Sequence, residues 1–89
     1  MEPEMAEVVI YTRKMCGFCT AAKSLLSGKN AGYREFDGTF DLKIRQEMIQ
    51  KSGRTTFPQI FIDGVHVGGF DDLYDLDHQG KLDKMLKGI

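Results

Sequence analysis

The chain is short of most features that would mark a secreted scaffold, a membrane protein or a nucleic-acid binder. Its 89 residues contain two cysteines, too few for the disulfide framework that replaces a core in small secreted domains. Lysine and arginine number 12 against 13 acidic residues, giving a net charge of -1, and no basic run exceeds Arg13-Lys14. That balance leaves no electrostatic footprint for nucleic acid or an anionic membrane. The longest uncharged apolar run, Val8 to Tyr11, is far too short to cross a bilayer. The acidic start, Met1 to Glu7, has no apolar signal region. Residues 1–6 therefore read as a flexible extension, with Met1 and Met5 both open as native starts, and the expected location is the cytoplasm.

What is present describes one small soluble domain spanning 1–89, with no repeat, linker or low-complexity tract. Hydrophobic residues make up 42% and charged residues 28%, ordinary values for a globular chain. Val8-Val9-Ile10-Tyr11 predicts a strand covered on both faces. A helix follows Thr12–Gly17, with Cys19, Ala22 and Leu26 on one face and Gly28 as its stop. Tyr33–Phe36 predicts a second strand. Phe40, Ile44 and Met48 recur every four residues and predict a second helix ending at Gly53. Gln59–Ile62, Asp63-Gly64 and Val65–Val67 predict a hairpin, because Asp-Gly suits the two positive-φ positions of a type I′ turn. Gly68-Gly69 should break that strand, Asp71 or Asp72 should cap a third helix carrying Leu73 and Leu76, and Leu82, Met85 and Leu86 predict a last short helix. This order predicts an α/β fold with a central four-stranded mixed sheet flanked by helices on both faces.

The chemistry converges on Cys16-Gly17-Phe18-Cys19, where the first strand hands over to the first helix. A helix start offers unpaired N–H groups and the positive end of the dipole, both of which favour a thiolate. Cys16 is nearest those donors, and Lys14 can add positive charge. Together they should lower the Cys16 pKa from about 8.5 into the roughly 3.5–7.5 range of activated cysteines. Cys19, one turn on and more buried, should remain a thiol that attacks a mixed disulfide at Cys16. Zinc needs four ligands, and the two histidines, His66 and His78, lack the spacing of a finger. Redox work is therefore favoured over metal binding or inert packing, and His66 is assigned no role.

Three segments, Lys14-x-Cys16-Gly17-Phe18-Cys19, Thr56-Phe57-Pro58-Gln59-Ile60-Phe61-Ile62 and Gly68-Gly69-Phe70-Asp71-Asp72-Leu73, resemble the signature segments of glutaredoxins. The resemblance runs from Val8 to Leu86 and is nearest to the small bacterial dithiol type, including Arg45-Gln46-Glu47-Met48 and Ser52–Thr56. It implies a thioredoxin fold and glutathione as co-substrate. It implies that Lys14 and Arg45 hold the glycine carboxylate, and that the Thr56-Phe57-Pro58 segment, with a cis-proline, pairs its backbone with the cysteinyl part. It implies that Gly69, Phe70, Asp71 and Asp72 hold the γ-glutamyl end at a helix start, and that Phe18 is a partly exposed aromatic gate. Arg54 carries two readings, ligand or surface ion pair.

The chain departs from the common dithiol pattern at Gly17-Phe18, which stand where Pro-Tyr is usual, and at Phe57, which stands where Val is usual. Two functions follow. The first is a glutathione-dependent oxidoreductase, monomeric, acting on protein disulfides and glutathionylated proteins. The second is a dimer that shares a [2Fe–2S] cluster through Cys16 and glutathione thiolates, the only setting in which a metal ligand is expected.

Overall fold

The computed structural model describes residues 6–87. Its elements run β1 (Val8–Thr12), α1 (Gly17–Gly28), β2 (Tyr33–Asp37), α2 (Leu42–Ser52), β3 (Gln59–Ile62), β4 (Val65–Gly68), α3 (Phe70–His78) and α4 (Leu82–Lys87). The four strands form one mixed sheet in the order β2-β1-β3-β4. β1 is parallel to β2, with Val8 opposite Tyr33, and antiparallel to β3, with Val8 opposite Ile62. This is the α/β arrangement with a four-stranded mixed sheet that the sequence predicts.

The parity of β1 explains why helices cover both faces. Successive strand residues point to opposite sides. Val8 and Ile10 accordingly join Ile60 and Ile62 in a core closed by Ala22 and Leu26 of α1, Leu73 of α3, and Leu82 and Leu86 of α4. Val9 and Tyr11 face the other way and pack with Phe61, Phe36 and Met48 and Ile44 of α2. Each fully buried Leu or Ile contributes about 1.5–3 kcal/mol of transfer free energy. The Tyr11 hydroxyl, inside this second core, donates to Glu47 at 2.5 Å, and burial raises its pKa well above the ordinary 10.0.

Local signals set the element ends. The Asp41 side chain caps α2, accepting from the backbone N–H groups of Lys43 at 3.0 Å and Ile44 at 3.2 Å. Gly53 closes that helix in the left-handed region at φ 73°. The Asp41 cap places Phe40 outside the helix and 90% exposed, so the four-residue spacing that includes Phe40 overruns the true start. The hairpin turn has φ 50° at Asp63 and 79° at Gly64, both positive as a type I′ turn requires. Of the expected extension, residues 1–5, and with them the choice between Met1 and Met5, lie outside the described residues. Ala6 is buried, and its N–H donates to the Leu86 carbonyl at 2.7 Å, so the sixth residue belongs to the packed body.

No helix among the described residues is long and apolar enough to cross a membrane.

Two glycines in this framework should respond oppositely to a methyl group. Gly68 sits at φ 121°, and a Cβ there would fall on the Asp72 carboxylate, 2.7 Å from its Cγ. Gly28 ends α1 with open space around it. Gly68→Ala should lose roughly 1–3 kcal/mol of stability in urea denaturation from backbone strain and collision, whereas Gly28→Ala should gain up to about 1 kcal/mol from helix propensity.

Candidate functional site

The site is assembled at the end of β1. After Thr12 the chain turns through Met15, held at φ 55°, and Cys16 becomes the N-cap of α1 with extended backbone angles. In that position the Cys16 sulfur accepts a hydrogen bond from the Cys19 N–H at 3.2 Å. The Cys16 carbonyl begins the helix ladder by accepting from the Thr20 N–H at 3.1 Å. Cys16 and Cys19 form a disulfide, with their Cα atoms 5.2 Å apart, inside the span that a disulfide bridges. Cys19 is 2% exposed and Cys16 9%, so any attacking thiol reaches Cys16 first.

A second segment meets the first across the sheet end. The Phe57–Pro58 peptide is cis, as the resemblance implies, and the Phe57 carbonyl oxygen lies 3.9 Å from the Cys16 sulfur. Phe57 lines two hollows. One, of about 460 Å³, is lined by Arg13, Arg45, Thr55, Thr56 and Phe57. The other, of about 120 Å³, lies between Phe18, Phe57, Pro58, Phe70 and Asp71. A larger cavity of about 670 Å³ on Val9, Phe61 and Asp63 shares no residue with the cis-proline loop beside Cys16.

Arg45 reaches the first hollow from α2. Its Nε donates to the Gly38 carbonyl at 2.6 Å and an Nη to the Thr39 carbonyl at 3.4 Å, while its guanidinium stacks 5.4 Å over the Phe57 ring. Neither Glu47 nor Asp41 pairs with it among the described residues. A Cβ at Gly38 would stand 3.2 Å from both Arg45 Cγ and the Phe57 ring, so a side chain here would press on both. Lys14 is held by its backbone, whose N–H donates to the Thr39 hydroxyl at 2.7 Å. The Lys14 ammonium rests 5.6 Å over the exposed Phe40 ring, a cation–π contact. Thr39 also donates through its N–H and its hydroxyl to Asp37, and those bonds hold the Asp37 carboxyl below its ordinary pKa.

The third segment opens α3. Gly69 is its N-cap, and the Asp72 carboxylate reaches back to accept from the Gly69 N–H at 3.0 Å. The expectation that Asp71 or Asp72 would be the N-cap is thereby corrected by one turn: Asp72 works from inside the helix. Asp72 also takes Arg54 in an ion pair at 3.2 Å, the second of the two readings of Arg54. The Gly69 N–H first, then Arg54, hold the Asp72 carboxyl below its ordinary pKa. Asp71 is exposed beside the smaller hollow, and the Phe18 and Phe70 rings stack with centroids 6.1 Å apart. Phe18 is 63% exposed.

Phe18, Phe57, Pro58, Phe70 and Asp71 thus share one hollow, Arg45 and Thr56 share the other, and Asp72 is occupied in its cap. Sequence reasoning gave no contacts to Arg13, Thr39, Gln59 or His66; Arg13 lines the larger hollow, and the other three are hydrogen-bonded to Lys14, Thr56 and Gln59 respectively. Gln59 left a signal, a lone amide in the run Pro58–Ile62 that is otherwise apolar; it is 1% exposed. Its amide nitrogen donates to the Thr56 carbonyl at 3.0 Å and hydroxyl at 3.1 Å, and its oxygen meets His66 Nε2 at 2.7 Å. Burial, then Arg54, lowers the His66 pKa.

Comparison with known proteins agrees with this geometry. Residues 8–67 match the glutaredoxin family model. The chain is 53% identical over 83 residues to Glutaredoxin 3 of Escherichia coli (strain K12), covering 93% of this chain and 100% of that one. Its structure resembles the solution structure of glutaredoxin from Brucella melitensis, with TM-score 0.82, 54% identity, and coverage of 94% and 91%. It also resembles the crystal structure of the buckwheat glutaredoxin–glutathione complex, with TM-score 0.86, 29% identity, and coverage of 93% and 78%.

The Asp72 cap has a testable pH signature. Because the folded carboxyl releases its proton more readily than at the ordinary value of 3.8, the stability it adds is full above that value and is lost as pH falls below it. Wild type should exceed Asp72→Asn in urea stability by no more than about 1 kcal/mol at neutral pH, since Asp72 and Arg54 are 44% and 50% exposed and solvent screens such pairs. The difference should shrink as the titration is carried into acid.

Proposed function

The chain belongs to the glutaredoxin family of glutathione-dependent thiol–disulfide oxidoreductases, and on that premise we propose that Cys16 is its nucleophile and Cys19 its resolving thiol. The observation that carries this assignment is the unequal setting of the two sulfurs. Cys16 caps α1 and takes the Cys19 N–H at 3.2 Å, whereas Cys19 is 2% exposed inside the helix. A donor aimed at a sulfur stabilises its thiolate more than its thiol, and a lower pKa makes that sulfur the attacking one at neutral pH.

The reaction then proceeds by two exchanges. The Cys16 thiolate attacks the glutathionyl sulfur of a glutathionylated protein; the protein thiolate leaves and takes a proton from solvent. A glutathione thiolate next attacks the glutathionyl sulfur on Cys16, giving glutathione disulfide and restoring the Cys16 thiolate. With a protein disulfide, Cys16 first forms a mixed disulfide with the substrate. Cys19 loses its proton and attacks the Cys16 sulfur, the second substrate thiol leaves, and the Cys16–Cys19 disulfide remains for two glutathione molecules to reduce.

Glutathione lies across the Phe57 ring in this reading. Its glycine carboxylate meets Arg45 at the larger hollow, with Lys14 at the rim. Its cysteinyl backbone pairs with Thr56-Phe57 as an added strand, and Pro58 keeps that segment beside Cys16. Its γ-glutamyl carboxylate meets the α3 start at Gly69–Phe70 and its amine meets Asp71. Asp72 acts by holding the cap, and Phe18 closes the outer side. The domain works as a monomer, in the reducing cytoplasm, on disulfide-bearing and glutathionylated proteins.

A second reading, a dimer sharing a [2Fe–2S] cluster through Cys16 and two glutathione thiolates, draws on Gly17. A Cβ there meets nothing within 4 Å, so the backbone beside Cys16 is open to a partner. One chain does not supply the ligands, for among the described residues no three His, Cys, Asp or Glu side chains converge. Reconstitution with iron, sulfide and glutathione tests it by visible absorption and mass; a colourless monomer removes the reading.

For the enzyme itself, Cys16→Ser should reduce turnover of a glutathionylated peptide to background, while Cys19→Ser retains most of it. Equal loss in both variants would contradict Cys16 as the sole nucleophile.

A further inference from the structure

Gln59 sits on β3, opposite Tyr11 of β1, and is almost wholly removed from water. A buried primary amide costs several kcal/mol unless both of its ends are paired, and here both are. The direction of the chain of bonds follows from chemistry alone. The Thr56 carbonyl oxygen can only accept, so the Gln59 amide nitrogen must face it, at 3.0 Å. The Gln59 oxygen then faces His66 Nε2 at 2.7 Å and can only accept, so that ring nitrogen carries the proton. The Thr56 hydroxyl accepts from the same Gln59 nitrogen at 3.1 Å, which leaves its own proton free to donate toward the larger hollow that Thr56 lines.

We propose that His66 is a positioning residue for glutathione: through Gln59 it fixes the orientation of Thr56 and Phe57, the backbone edge along which the tripeptide lies. His66 lies on β4, opposite Phe61, and its ring packs 5.0 Å from the Phe61 ring. It contacts neither Cys16 nor the hollows beside it. Its effect therefore reaches the sulfur only through the loop, whose Phe57 carbonyl oxygen lies 3.9 Å from Cys16. This role rests on the glutathione reading given above. It deepens that reading by naming a residue on β4, two strands away from β1, that sets affinity without joining the chemistry. The charged groups that act on the ring are Arg54 and Asp72, which pair with each other at 3.2 Å.

Steady-state kinetics with a glutathionylated cysteine peptide separate this role from a structural one. His66→Leu removes the donor, and the KM should rise about fivefold with kcat changed by less than about twofold, the size expected of one lost neutral hydrogen bond. His66→Gln carries an amide nitrogen at nearly the same reach and should restore KM to within about twofold of wild type. The full-length wild type gives a reading independent of any variant: its ring nitrogen–proton correlation spectrum should show the neutral ring protonated at Nε2. An Nδ1-protonated ring overturns the proposal, as does an unchanged KM in His66→Leu or a failure of His66→Gln to rescue. A wild type without glutathione-dependent turnover would overturn the assigned reaction itself, and is distinct from an active wild type whose KM ignores His66.

Discussion

The structure turns on one hydrogen bond, from the Cys19 N–H to the Cys16 sulfur at 3.2 Å. A neutral sulfur makes little of such a donor, whereas a thiolate there is stabilised by about 1.5–3 kcal/mol as a bond to a charged group. The α1 dipole adds about 0.3–1 kcal/mol. At about 1.36 kcal/mol per pKa unit, the two together are worth roughly one to three units. That is enough to move a thiol from about 8.5 to or below neutrality. These two contributions reach that range without any from Lys14, whose ammonium rests over Phe40.

Everything that places this bond lies in the core. β1 is an interior strand, paired on both sides, so Thr12 ends at a fixed point. Ala22 and Leu26 are buried against Val8 and Ile10, which fixes the rotation of α1 and hence where its first turn points. The cis-proline loop and the α3 start are brought to the same end by β3 and β4. Small residues permit the approach: Gly38 lets Arg45 and Phe57 stack over the loop, and Gly68 makes room for the Asp72 carboxylate.

Much of this was legible in the sequence, because it depends on short-range signals. The β-branched run at Val8, the Asp63-Gly64 turn, the Cys16–Cys19 spacing at a strand-to-helix junction and the Gly53 stop each depend on neighbours a few residues away. Phe40 misled because periodicity does not register a cap, and Asp41, one residue on, terminates the helix by binding its N–H groups. Asp72 misled for a related reason: an acid in a first turn can cap from within when a glycine holds the N-cap. The loop contacts of Arg45 and the His66–Gln59–Thr56 chain were not legible at all. Both join residues through tertiary packing, and no local pattern marks which polar side chains will meet.

The acidity of one sulfur, that of Cys16, decides whether the α1 N-cap makes it the attacking group. Titrating the reduced protein by thiolate ultraviolet absorption, with Cys19→Ser to isolate Cys16, measures it directly. A single transition within roughly 3.5–7.5 is the result that follows from a thiolate at the α1 N-cap. A transition near the ordinary value of about 8.5 would contradict it.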